Sequence, residues 1–308
     1  MRLASIDLGT NTIRLLVAEV GPGPSLRFVH QEQAIVRLGE RLSATGRLGA
    51  EAIGRAREVV LRYRDRARAL GAREILVVAT SAVRDAPNRA ELLDPLREAG
   101  LAIRPVGGEE EGRLALLGTR WGLALGDERF ALLDIGGGST ELLVASGGEV
   151  EHALSLALGV VHLTERHLKA DPVAEAEYRA LAEHVRGVLA AELRPILEGA
   201  RPRALIGTAG TITTLAALDL GLAAYDPERV HGHRLPASRI EALLGRLAPL
   251  PVAERARLPC LEPGRADLII AGIVVALESL RGLGLEALTV SEYGLREGIL
   301  LRAIGWSP

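Results

Sequence analysis

The sequence predicts an α/β fold built from a duplicated domain, and two observations carry this. Short apolar strands alternate with helical stripes along the chain, and a segment of the first half returns in the second. Shifted by 127 positions, residues 3–18 (LASIDLGTNTIRLLVA) fall on 130–145 (FALLDIGGGSTELLVA). Asp7 meets Asp134, Gly9 meets Gly136, Thr12 meets Ser139, and the LLVA run meets itself. Each copy reads as strand, Asp-x-Gly turn, strand, and each is followed by another strand-like stretch, at 26–36 and 150–157. The seam falls near 120–128.

The elements follow in order. Residues 2–6 read as the first strand, 7–12 as a tight turn and 13–19 as the second strand. The patch Gly21-Pro22-Gly23-Pro24 is a hairpin loop. Between Gly49 and Leu70, the residues Ile53, Ala56, Val59, Val60, Tyr63, Ala67 and Leu70 recur at helical spacing, and Gly71 ends the helix. Strand 74–79, the segment TSAVRDAPN, a helix near 88–99, strand 101–106 and a helix opening around Gly108 complete the first half. The second half adds a long helix at 173–198 and a strand at 203–206. The turn Gly207-Thr208-Ala209-Gly210-Thr211 then opens a further helix. Helical patterns at 237–247 and 265–282, strand 286–290 and a helix from about 294 close the chain.

Composition narrows the function. At about 100–200 residues per domain, 308 residues favour two domains. A hydrophobic share of 48 % against 25 % charged residues describes a soluble chain with a sizeable core. The net charge of −2 points neither to nucleic acid nor to an anionic membrane. Eight aromatic residues leave little with which to stack bases. Lys169 is the single lysine, so 36 of the 37 basic residues are arginines, which removes the P-loop nucleotidases. It also removes Schiff-base chemistry at any other position. Cys260 stands alone, so no internal disulfide or thiolate zinc site is expected, as suits a reducing compartment. Asp7, Asn11 and Arg14 interrupt the N-terminal apolar stretch, which argues against a signal peptide. The longest uncharged run, Ala204 to Leu218, has 15 residues with four threonines and two glycines, too short and polar to span a bilayer. The expectation is a cytoplasmic protein with neither a nucleic-acid nor a membrane partner.

The two Asp-x-Gly hairpins suggest a phosphate clamp. Glycine lets the backbone approach an anion, and successive N–H groups with flanking Thr, Asn and Ser side chains donate to phosphoryl oxygens. Asp7 and Asp134 would repel a bare phosphate and make sense with a divalent cation or its waters in between. The plainer alternative, each Asp capping its own turn, suits one copy better than two matched ones. Gly207 to Thr211, a strand followed by a glycine turn and a helix start, offers a further anion site, although crossovers also need glycine for packing alone. Glu109, Glu110 and Glu111 open a helix. Their charges suit its N-terminal dipole, and one of them aimed at phosphate would need a task such as orienting or deprotonating water. Periodicity does not choose among the three. Arg14, Arg37, Arg84 and Arg296 lie close to these motifs and could fork onto phosphate oxygens. His231-Gly232-His233 reads as a loop rather than a metal pair, and Trp121 and Trp306 as packing residues.

Seven segments together carry a family resemblance: DLGTNTIRLL (7–16), TSAVRDAPN (80–88), GGEEEGRLALLG (107–118), DIGGGSTEL (134–142), GTAGTITTLAAL (207–218), RADLIIAG (265–272) and SEYGLREGIL (291–300). In this order they resemble the exopolyphosphatase / guanosine pentaphosphate phosphohydrolase family over essentially the whole chain. The resemblance implies two ribonuclease-H-like lobes of the actin, sugar-kinase and heat-shock-ATPase superfamily around an interdomain cleft. The first lobe would be residues 1–124 plus the C-terminal helix at about 299–308, and the second 125–298. It further implies that Glu111, with Glu110 beside it in the pattern G-x-E-E-x-R-L, is catalytic, and that Asp134 and Glu141 hold Mg2+ or Mn2+. The phosphate-binding set would be Asp7, Gly9, Thr10, Asn11, Thr12, Arg14 and Arg84, with Gly136, Gly137, Gly138, Ser139, Thr208, Gly210 and Thr211.

The implied activity releases orthophosphate from inorganic polyphosphate, hydrolyses guanosine pentaphosphate (pppGpp) to the tetraphosphate, or both. Water oriented by Glu111 would attack in line, with magnesium neutralising charge. Longer members of the family carry a helical C-terminal extension. This chain resembles the short two-domain branch, which favours short polyphosphates, and the family allows a homodimer. Two rivals are an ATP-dependent kinase or ATPase of the same superfamily and a sensor that binds polyphosphate or alarmone without hydrolysis. The triple-Glu segment and the REGIL terminus favour the phosphatase over the first, and Glu111, Asp134 and Glu141 favour it over the second. Closure of the lobes about 120–128 and 294–300, with Gly294 and Gly298 absorbing the backbone change, would complete the expected mechanism.

Overall fold

The computed structural model describes residues 1–306. It divides the chain into two compact units, one made of Met1–Trp121 with the segment from Tyr293 onward, the other of Gly122–Glu292. These boundaries fall a few residues before the expected 124 and 298. Residues 307 and 308 of the expected C-terminal helix lie outside the described residues.

The first unit is built on a five-stranded sheet. Its strands are β1 (Arg2–Leu8), β2 (Thr12–Val20), β3 (Leu26–Ile35), β4 (Glu74–Ala79) and β5 (Ile103–Pro105), in the order β3-β2-β1-β4-β5. The first three form an antiparallel meander, and β4 and β5 add in parallel. Strands β1 and β2 are buried on both faces, which is why they read as nearly continuous apolar runs. Alternation still sorts the side chains. Ala4, Ile6 and Leu8 enter a core with Ile53, Val60 and Tyr63 of the helix Ala50–Ala69 and Leu92 and Leu96 of the helix Ala90–Glu98. Leu3, Leu16 and Ala18 point the other way and pack with Leu300 and Leu301 of the helix Leu295–Ala303. Asp7 shares the parity of Leu3, so its carboxylate is delivered to that second face.

The second unit repeats the plan on a six-stranded sheet. Its strands are β6 (Phe130–Ile135), β7 (Thr140–Ser146), β8 (Glu149–Leu156), β9 (Ala204–Thr208), β10 (Arg234–Pro236) and β11 (Ala287–Val290), in the order β10-β11-β9-β6-β7-β8. Again the first three are an antiparallel meander, and β9 and β11 join in parallel. Each unit thus has the meander-plus-parallel-strands layout of a ribonuclease-H-like lobe. Even the irregularities correspond: the β2–β3 ladder shifts register at Val17/Ala18 and the β7–β8 ladder at Val144/Ala145, 127 residues on. Ala131, Leu133 and Ile135 enter a core with the helices Glu175–Glu192, Ala209–Asp219 and Ile269–Leu283. Asp134 therefore takes the opposite face.

The structure departs from the sequence reading in several elements. The edge strand β10 is too short for any periodicity to register. A helix over Val160–His167 follows β8, and Ser81–Asp85 within TSAVRDAPN is helical. The long helix expected to reach 198 stops at Glu192 and is followed by a separate turn of helix at Arg194–Leu197. Among the described residues, no helix is long and apolar enough to cross a membrane.

Candidate active site

In the first unit, residues 9–11 turn the chain between β1 and β2. The Gly9 amide donates to the Thr12 carbonyl at 3.2 Å, and a Cβ on Gly9 would lie 2.7 Å from that same oxygen. The position therefore excludes any side chain. The turn is fastened from outside: the Asn11 carbonyl accepts from the Val36 and Arg37 amides, and the Thr10 carbonyl from Gly39. The Thr10 hydroxyl accepts from the Ala82 amide at 3.2 Å. Thr10, Asn11 and Thr12 are all buried.

Asp7 stands opposite Arg14 in the β1–β2 ladder, with Arg14 Nη1 3.7 Å from Asp7 Oδ2. Its Oδ1 and the Oδ1 of Asn11 are buried without a hydrogen-bond partner, as expected of groups that meet water or a ligand. Burial pushes the Asp7 carboxyl above its ordinary value, against the pull of Arg14 and Arg296 and with a smaller push from Glu297.

The helix Gly108–Gly122 separates the three glutamates. Successive helical residues point about 100° apart, so the three diverge. Glu109 is exposed. Glu110 turns to Arg104 and Arg302, whose Nη1 atoms both lie 2.7 Å from its Oε1. Glu111 is buried, and its Oε2 is 3.4 Å from Arg84 Nη1. Arg84 also reaches the Val106 carbonyl and Asp85, on the short helix whose Ala82 amide caps Thr10. The unit thus brings Thr10, Arg84 and Glu111 into one connected group and holds Glu110 in a separate ion-pair cluster.

Gly298 serves packing rather than the backbone freedom expected of it, and Gly118 does the same. A Cβ on Gly118 would lie 2.0 Å from the Gly294 carbonyl oxygen, and one on Gly298 1.8 Å from that of Leu114. The Glu111 helix and the C-terminal helix therefore touch backbone to backbone. The Thr119 hydroxyl, donating to the Tyr293 carbonyl at 3.1 Å, extends the contact.

The second hairpin has the same geometry, with Glu141 in the place of Arg14. A Cβ on Gly136 would lie 2.9 Å from the Ser139 carbonyl oxygen, and the Gly136 amide donates to that oxygen at 3.0 Å. The Gly136 and Gly137 carbonyls accept from the Val160 and Val161 amides. Gly138 lies so close to Gly159 that a Cβ on the latter would come within 2.1 Å. Across the sheet, Thr208, Asp134, Glu141 and Ser155 form one row on one face. Asp134 and Glu141 are buried. Glu141 Oε1 accepts from the Ser139 hydroxyl at 2.7 Å and the Ser155 hydroxyl at 2.9 Å.

Strand β9 runs on through Gly207 and Thr208, so the expected glycine turn is absent and the helix begins directly at Ala209. The sharp change of direction falls on Ala209, at φ +68°, a conformation costing a non-glycine residue roughly 1 kcal/mol. The Thr208 hydroxyl donates to the Ser291 carbonyl at 3.2 Å. The Gly210 carbonyl accepts from the Thr214 hydroxyl and from Arg265 Nη1. The Thr211 methyl group sits against Gly272. Arg265 and Ser155 escaped the sequence reading. Arg265 stands in the RADLIIAG segment without periodic signal, and Ser155 joins the row only through strand register.

The donor set suits a hard divalent cation. Two carboxylates side by side in a buried row repel one another unless a cation or a shared proton lies with them. Mg2+ commonly takes one or two carboxylates and completes its shell with water and phosphate. Among the described residues, no group of three or more His, Cys, Asp or Glu side chains could hold a metal. His231 and His233 belong to different networks. His231 Nε2 meets the Gly122 carbonyl and its Nδ1 accepts from the Glu292 amide, while His233 pairs with Asp219.

Comparison with known proteins matches residues 16–305 to the Ppx/GppA phosphatase family. The chain is 40 % identical to exopolyphosphatase 2 of Mycobacterium tuberculosis, over 99 % of each chain. It is 28 % identical to guanosine-5'-triphosphate,3'-diphosphate pyrophosphatase of Aeromonas hydrophila, over 98 % of this chain and 59 % of the relative. A crystal structure of the Aquifex aeolicus family member superimposes with a TM-score of 0.84 at 34 % identity, over 99 % of this chain and 97 % of that one.

Proposed function

The chain belongs to the Ppx/GppA phosphatase family and is a phosphoanhydride hydrolase, and on that premise we propose that it removes the terminal phosphate of short inorganic polyphosphate and of pppGpp. The observation that carries this reading is the burial of Glu111 beside Arg84 while Glu109 and Glu110 turn elsewhere. A buried carboxylate at a phosphate site is costly unless it has a task. Accepting the proton of the attacking water is the task that fits.

Each group then has a role. Arg84 holds Glu111 in place, and Arg14 with the backbone of 9–12 takes up phosphoryl oxygens, as does the backbone of 136–139. Asp134 and Glu141 would hold Mg2+ or Mn2+, with Ser139 and Ser155 fixing the Glu141 carboxylate. When bound, the ion would neutralise charge on the phosphoryl oxygens. Glu111 orients the water and takes its proton, and the leaving phosphate, already a good leaving group, departs without further help.

Phosphate release should be measured over a ladder of polyphosphate lengths, beside pppGpp and beside ATP with a sugar panel, with Mg2+ or Mn2+. Release from tripolyphosphate or pppGpp is expected. ADP formed only when ATP is given a sugar acceptor, with the phosphoryl group on the sugar and none released, would replace this reading with a kinase, and tight binding without release would replace it with a sensor.

A further inference from the structure

Among the described residues Tyr225 is the most exposed aromatic side chain, at 42 %, and every other aromatic is buried or half-buried. The ring is held in place, because its hydroxyl donates to Glu292 Oε2. Glu292 lies just past Val290, the last residue of β11. Its neighbour Ser291 accepts from Thr208 through its carbonyl and donates to the Gly207 carbonyl through its amide. Thr208 in turn pairs with Asp134. Tyr225 and Glu292 therefore stand at the carboxyl ends of the parallel strands β6, β9 and β11, the edge at which open α/β sheets bind ligands. Strand β11 is two places from β6, so this point is roughly 10 Å from the Asp134 strand. A triphosphate and its ribose span such a distance.

The chemistry of the pair does not suit more phosphate. The ring face has no donor, the hydroxyl proton is committed to Glu292, and the Glu292 carboxylate repels anions. Its fit is to a base: an immobilised aromatic face stacks on any purine, and a carboxylate accepts from the ring N–H and amino group that guanine presents. Arg265, which bonds Gly210 and Thr214 nearby, would mark the last cationic contact before that base.

We propose that Tyr225 and Glu292 form a nucleoside subsite, in which the ring stacks on the guanine of a nucleoside polyphosphate whose phosphates lie toward Asp134 and Glu141. The subsite rests on the phosphoanhydride hydrolase reading and adds to it that this chain selects guanosine polyphosphates by residue contacts of its own.

The test compares kcat/KM for pppGpp and for tripolyphosphate in the wild type, Tyr225→Leu, Tyr225→Phe and Glu292→Gln. Tyr225→Leu should lower the pppGpp-to-tripolyphosphate ratio roughly 5- to 150-fold, the worth of one stacked base. Tyr225→Phe should keep most of it, and Glu292→Gln should lower it in the same direction. A ratio that does not move in Tyr225→Leu overturns the proposal; if that variant fails to fold by circular dichroism, Glu292→Gln decides. Should the wild type hydrolyse neither substrate, the phosphatase reading fails on its own account. Equilibrium dialysis with GTP then tests the subsite alone: binding weakened by Tyr225→Leu supports it, and absent or unaltered binding overturns it.

Discussion

Asp134 faces Glu141 across the β6–β7 ladder at the position where Asp7 faces Arg14 across β1–β2. The two hairpins are copies in backbone, and the residue facing the aspartate is a cation in one and an anion in the other. In the first, an arginine stands beside the aspartate and leaves a group suited to anions. In the second, a glutamate stands there and leaves a group suited to a cation. On the proposed function, the two equivalent turns divide phosphate and metal between them.

That division predicts a metal-dependent stability. Magnesium added to chelator-treated protein should raise the melting temperature, by about 2.7 kcal/mol of stabilisation at a hundred times its dissociation constant. Glu141→Gln should remove most of the shift while melting no lower than wild type without metal, since one of two neighbouring charges is gone. Calorimetry with and without Mg2+ checks both, and a wild type indifferent to the ion would refute the assignment.

Glu111→Gln should lower kcat by on the order of 10²–10⁴-fold, the usual contribution of a general base, with an unchanged circular dichroism spectrum. Glu110→Gln should cost no more than about 1 kcal/mol of stability, because it breaks only a partly exposed ion-pair cluster, and should leave kcat nearly intact. Comparable losses in both variants would show that the helix start, rather than Glu111, matters.

Asp7 ties stability to pH. Its carboxyl is raised in the folded protein by burial, outweighing Arg14 and Arg296. A raised acid favours folding in its protonated form, so its contribution is fully present below the ordinary value of 3.8 and is lost as pH rises through the folded value. Asp7→Asn should therefore melt higher than wild type at pH 8 and gain less at pH 4, while losing activity. Thermal melts across that range decide it, and an equal or reversed difference would count against burial as the dominant cause.

Gly118→Ala and Gly298→Ala should each destabilise by about 1–3 kcal/mol or more, because the new methyl meets backbone rather than a side chain that can move. Gly187→Ala, in the helix Glu175–Glu192 with nothing within 4 Å, should instead stabilise by roughly 0.5–1 kcal/mol. Urea melts of the three variants test the contrast. A neutral Gly298→Ala would mean that the two helices are not held at backbone distance.

What this sequence determined by itself is local. Alternating apolar residues wrote the strands, a 3.6-residue stripe wrote the helix Ala50–Ala69, and the repeat of Asp-x-Gly wrote both hairpins and the duplication. Each element is a relation between residues a few positions apart, and the duplication is one constant offset of 127, so a linear reading recovers both. The tertiary structure decided which charges meet. Glu110 and Glu111 are neighbours in the chain, but the turn of the helix sends one to Arg104 and Arg302 and the other to Arg84. Ser155 reaches Glu141 only because β7 and β8 pair in one register. Gly298 looked like freedom and is a contact surface, since what a glycine is for depends on what lies against it. Direction, register and close approach arise from segments far apart in sequence, and no short-range pattern encodes them.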